Sequence, residues 1–162
     1  MTLRLMKMNF PDPSDFSGNP KLEIFNPSEF PLPFDENDIH SALNEIENNE
    51  KVMYQHVEIV FVDEPGIVDI NKEHLKRDYI TDIISFRYDE DTSNKRIEGT
   101  LYCCAPRISE QSKEFETPES TEFLRVMIHG LIHLIGYNDQ TEDDKKRMTE
   151  LENLYLDKIS QA

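Results

Sequence analysis

The chain has 162 residues, enough for one domain with its own core, and 33 acidic residues against 17 lysines and arginines leave a formal net charge of −16. That balance excludes binding to nucleic acid through a broadly basic surface, because phosphate neutralisation needs Lys and Arg; any such contact has to be local. No apolar run approaches the roughly 18 uncharged residues of a membrane-spanning helix, so no membrane partner is expected.

Residues 1–20, MTLRLMKMNFPDPSDFSGNP, lack the apolar stretch and small-residue cleavage site of a secretory signal. Their prolines mark an irregular extension ahead of a single domain over 21–162. KLEIFN (21–26) reads as a short strand, and Asp35–Asn49 has helical spacing with Ile39, Leu43 and Ile46 on one face. HVEIVFVD (56–63) alternates as a strand does. Asp63 then caps a helix with Pro65 in its first turn, carrying Ile67, Ile70 and Asn71 and fraying near Leu75. TDIISFRY (81–88) and GTLYCCA (99–105) are strands on either side of a polar loop. Cys103 and Cys104, the two cysteines, are adjacent on the second of these, where successive side chains point to opposite faces and a bridge would be strained. Reduced packing residues in a cytoplasmic protein are expected.

PRISEQSKEF (106–115) begins a short helix at its proline, and Thr117–Pro118 starts a long helix ending at Ile135. Thr141 starts the last helix, with Asp144 three residues on as an imperfect capping box. Strands alternating with helices predict an α/β (α+β) single domain, a small mixed β-sheet packed with helices.

The long helix carries the chemistry. Its stretch FLRVMIHGLIHLI is apolar all round except for Arg125, His129 and His133, which fall at i, i+4 and i+8 on one stripe that Glu122 extends. Burying such groups without partners costs several kcal/mol each, so a carboxylate, solvent in a cleft or a metal must face the stripe. Histidines at i and i+4 reach one point beside a helix. Gly130 between them hints at close approach of another element, and Gly136 ends the helix so that Asp139 can swing back. Two imidazoles and one carboxylate make the open three-ligand set of a catalytic zinc. The competing reading is a pair of core histidines bonded to main-chain oxygens.

HGLIHLIGYND (129–139) resembles the YbeY family signature H-G-x-L-H-L-x-G-Y-D-H, with Asp139 at the family's third metal-ligating histidine. INKEHLKRDYITDIISFRY (70–88) is similar to the family's L-N-x-x-Y-R-x-x-D-x-x-T-D-V-L-S-F, and EGTLYCC (98–104) to a strand that usually begins G-D-I. Leu75 stands at the family's arginine, Arg125 where many members have a histidine one turn before the first ligand, and Thr100 at the usual acid. The resemblance implies one zinc ion, or another divalent metal, on His129, His133 and Asp139. It further implies a single-strand-specific endoribonuclease of rRNA maturation and ribosome quality control. Its partners would be RNA, ribosomal RNA above all, and the small ribosomal subunit or assembly factors.

Phosphodiester cleavage builds negative charge that a cation stabilises. Arg125 is the first catalytic candidate because it shares the ligand stripe; Arg77 is the second, next to the Leu75 position, with Lys76 beside it. Their ordinary alternatives are a salt bridge to Glu122 or another acid, and a solvated loop. Thr81, Asp82 and Ser85 either line the cleft and support the histidines or only begin a strand, and Asn71 bonds locally in its helix. Two rival functions stand beside the endoribonuclease, and a third, a plain binding module, leaves the polar stripe unexplained. One is a non-catalytic ribosome-assembly factor with a structural metal, favoured by Leu75. The other is a metal hydrolase of another substrate, whose peptide version lacks a glutamate beside the first histidine, where Gly130 stands.

Overall fold

Four strands and five helices follow one another in the computed structural model, which describes residues 21–89, 91 and 93–160. The extension expected over 1–20 lies outside the described residues. In chain order the elements are β1 (Leu22–Phe25), α1 (Glu36–Glu50), β2 (Met53–Val62), α2 (Glu64–Leu75), β3 (Ile83–Arg87), β4 (Arg96–Cys104), α3 (Ala105–Glu114), α4 (Glu119–Leu134) and α5 (Glu142–Ser160). Sequence signals explain most boundaries. Asp35 and Asp63 cap α1 and α2 with their carboxylates. Thr141 and Asp144 exchange backbone-to-side-chain bonds of 3.0 and 3.3 Å at the start of α5. At α4 the start differs from the expectation: Pro118 is the cap residue, with no side-chain cap bond, and the Thr117 amide bonds back to Ser112.

The sheet runs β1-β2-β4-β3, with β1, β2 and β4 parallel and β3 antiparallel to β4. Parallel neighbours need crossover connections, and α1 and α2 supply them. The two faces of the sheet pack differently. On one, α2 covers a small cluster of Ile67, Ile84, Phe86 and Cys104. On the other, the main core joins Ile39, Leu43 and Ile46 of α1 and Met148, Leu151 and Tyr155 of α5 to the apolar residues of α4. Cys103 and Cys104 are both free and buried, one in each cluster. The α/β domain with a small mixed sheet is as the alternation of elements predicts. None of the described helices is long and apolar enough to cross a membrane.

α4 sits at the centre of the main core, buried along almost its whole length. Its apolar side chains each contribute about 1.5–3 kcal/mol on full burial. Its last turn is tied down from the sheet. The Tyr54 hydroxyl donates to the Leu131 carbonyl at 2.7 Å, and Arg87 Nη1 donates to the Leu134 carbonyl at 2.8 Å. These are carbonyls a helix end leaves unpaired, and a buried guanidinium also suits the negative end of the helix dipole. Gly136, at φ 114°, then turns the chain back.

Candidate metal centre

The i, i+4 spacing on α4 and the reversal at Gly136 bring three donors together. His129 Nε2 lies 3.6 Å from Asp139 Oδ2, and His133 Nε2 lies 3.7 Å from Asp139 Oδ1. One donor atom from each of the three residues lies within 4.8 Å of the others. Donors at about 2.1 Å from a tetrahedral zinc stand roughly 3.4 Å apart, close to the two imidazole–carboxylate spacings. The donor set, two imidazole nitrogens and a carboxylate oxygen, suits zinc and tolerates harder divalent metals.

The imidazoles are oriented from behind. His129 Nδ1 lies 2.8 Å from Glu152 Oε2 on α5, which leaves Nε2 facing Asp139. The other Glu152 oxygen accepts from Arg125 Nη1 at 3.1 Å, while Arg125 Nη2 donates to Asn153 Oδ1 at 2.8 Å. A carboxylate behind a ligand imidazole fixes its tautomer and raises its basicity. The polar stripe of α4 therefore has two acidic partners, Glu152 toward the start of the helix and Asp139 toward its end. Arg125 belongs to the first: its guanidinium packs against α5, and it is not among the residues lining the cavity.

Opposite charges set the protonation of the group. Burial pulls the His129 imidazolium down, but the hydrogen bonds to Asp139 and Glu152 outweigh it and lift the group to about 9. Burial, helped by the charge of His129, pushes His133 down to about 4. The His129 hydrogen bond holds the Asp139 carboxyl well below the usual carboxylate range. The site thus keeps a carboxylate and a neutral imidazole ready, with one proton on His129 to be displaced when a cation enters.

The three residues open onto a cavity of about 290 Å³ whose far wall is the segment from the end of α2 into β3. Leu75, Arg77, Tyr79, Thr81, Asp82 and Ser85 all line it; the last three also lie just before or within β3. Arg77 and Leu75 both line that wall, so a cationic residue borders the cavity two residues from the position where the chain has leucine. Lys76 is instead the left-handed cap residue of α2. Asn71, 1% exposed, does not bond only within its helix: its Nδ2 donates to the Tyr79 carbonyl at 2.8 Å. A Cβ on Gly130 would lie 2.6 Å from Ile83 Cδ1 and 2.9 Å from Leu101 Cδ1. Position 130 therefore faces the sheet, away from the donors.

Sequence reasoning missed Glu152, and one signal pointed to it. On α5 the buried positions are Met148, Leu151, Glu152, Tyr155 and Ile159, so a carboxylate occupies an otherwise apolar stripe.

Comparison with known proteins agrees with this architecture. The family model described as Endoribonuclease YbeY matches residues 28–160. A Chlorobium limicola protein named Endoribonuclease YbeY is 36% identical over 141 residues, covering 87% of this chain and 94% of that protein. One from Chloroherpeton thalassium is 38% identical over 121 residues, covering 75% and 84%. The solution structure of TM1509 from Thermotoga maritima shares the fold, with a TM-score of 0.56 at 24% identity over 85% of this chain and 88% of that one. A match to most of the described domain, and relatives aligned over nearly their full length, lead to one conclusion: the chain belongs to the YbeY endoribonuclease family.

Proposed function

We propose that this chain is a zinc-dependent endoribonuclease that cuts single-stranded ribosomal RNA during maturation and quality control of the small ribosomal subunit, in the cytoplasm. The observation that carries the reading is the convergence of His129, His133 and Asp139 at the mouth of a cavity that also holds Arg77. A zinc ion bound by three protein ligands supplies Lewis acidity and lowers the pKa of water to near neutrality.

The chain's own residues do the rest. Asp139 and the two imidazoles hold the cation, and Glu152, itself held by Arg125, keeps His129 turned toward it. Arg77 faces the scissile phosphate and offsets the negative charge that grows on its oxygens. Arg77 lines the same cavity as the three donors, a local positive charge in a chain whose net charge of −16 otherwise repels RNA. Gly130 packs against the sheet, so position 130 offers no base beside the first histidine, which speaks against a peptidase. Arg77 in the cavity speaks against a purely structural metal.

The test is cleavage of single-stranded RNA by the parent, His129→Ala and Arg77→Ala, with metal content read by mass spectrometry. His129→Ala should lose metal and cleavage together. Arg77→Ala should keep its metal while turnover falls about 10²–10³-fold, the usual loss for a group that stabilises transition-state charge. Cleavage by His129→Ala at the parent rate would place the activity elsewhere.

A further inference from the structure

We propose that Tyr79 is a nucleobase platform: its ring takes one stacked base of single-stranded RNA at the rim of the metal cavity. This rests on the ribonuclease reading above and adds a binding subsite to it. Tyr79 is 51% exposed, yet both of its polar ends are engaged. Its hydroxyl accepts from Arg77 Nη1 at 3.0 Å, and its carbonyl accepts from Asn71 Nδ2 at 2.8 Å. Asn71 is itself buried in α2, and its own carbonyl accepts the amides of Lys76 and Arg77. One buried residue thus holds both ends of the segment 76–79, one through its main-chain carbonyl and the other through its side-chain amide.

An exposed tyrosine alone says little, since much of any protein surface is apolar. This one is held through its main chain by Asn71 and lines the same cavity as His129, His133 and Asp139. A base laid on the ring brings its phosphodiester toward Arg77 and the metal ligands. The chain's net charge of −16 gives RNA no favourable long-range field, so affinity has to come from close contacts. Stacking is such a contact: every base has a π face, and a ring already ordered costs little to use. A base paired in a helix cannot reach the platform, so the same geometry selects single strands.

The chain has no tryptophan, so Tyr79→Trp places a single reporter at the subsite. The metal-loaded full chain is mixed with single-stranded RNA by stopped flow, so that binding is read before turnover. Anisotropy of a labelled strand follows binding, and tryptophan emission with unlabelled RNA follows stacking. Emission from Tyr79→Trp should be quenched by RNA and not by an abasic strand of the same length. Tyr79→Ala should bind about tenfold or more weakly, and Tyr79→Phe should stay within about twofold of the parent, because the ring carries the contact. Unchanged emission while anisotropy saturates, parent-like binding by Tyr79→Ala, or equal losses in Tyr79→Phe and Tyr79→Ala would each overturn the subsite and leave the ribonuclease reading standing. No RNA binding by the parent would remove that reading and the subsite with it.

Discussion

Replacing Glu152 by glutamine keeps the shape of the side chain and removes its charge. The carboxylate lies 2.8 Å from His129 Nδ1, with its side chain 9% exposed, so water cannot take over its role. A hydrogen bond to a charged acceptor contributes about 1.5–3 kcal/mol and one to a neutral acceptor about 0.5–1.5 kcal/mol. Glu152→Gln should therefore weaken metal binding by about 1.4 kcal/mol, or tenfold. Glu152→Ala loses the bond outright, leaves the Arg125 guanidinium without its carboxylate, and should approach the hundredfold upper range for partners behind a metal ligand. The assay is competition against a chromophoric chelator above pH 9, where His129 has lost its proton. At neutral pH the same mutation also weakens the proton's hold on His129, which offsets part of the loss. Arg125→Ala separates two roles. If Arg125 positions Glu152, metal affinity falls a few-fold; if it touched the substrate, turnover would fall at unchanged affinity. Parent-like affinity in Glu152→Ala would refute the reasoning.

Asp139→Ala should lose most of its metal and Asp139→His should keep it, as mass spectrometry of the purified proteins can show; equal metal in Asp139→Ala and the parent would remove Asp139 from the site. Metal-stripped protein should be most heat-stable near pH 6.5. His129, raised in the fold from 6.5 to about 9, contributes stability that is complete below 6.5 and lost as pH rises through about 9. His133, lowered from 6.5 to about 4, contributes stability that is present above 6.5 and lost as pH falls through about 4. A Tm in chelator that stays flat from pH 6 to 10 would contradict the His129 assignment. Gly99→Ala should destabilise more than Gly130→Ala in chemical denaturation. A Cβ at 99 meets the Phe86 backbone carbonyl at 2.5 Å inside the β3–β4 pairing, which cannot yield. At 130 it meets the ends of side chains, an overpacking of about 1–3 kcal/mol that helix propensity offsets by about 1.

The elements and the heart of the candidate centre were legible because their causes are local. His129 and His133 share a face by helical geometry alone, and a glycine at a helix end reverses the chain whatever surrounds it, which brings Asp139 within reach. Cys103 and Cys104 part to opposite faces for the same kind of reason, the pleat of a strand. Tertiary packing decided everything that depends on which helix lies against which. Arg125 shares the ligand stripe in sequence, yet its partner is Glu152, 27 residues away on α5. That contact joins the guanidinium to the carboxylate behind His129, and Arg125 is not among the residues lining the cavity. Asn71 carried no sign that it would secure Tyr79, and Arg77 joined the cavity because the loop after α2 folds over it. Periodicity tells which face of an element is buried; only the packed chain tells what that face meets, since the partner lies far along the sequence and no local rule reaches it.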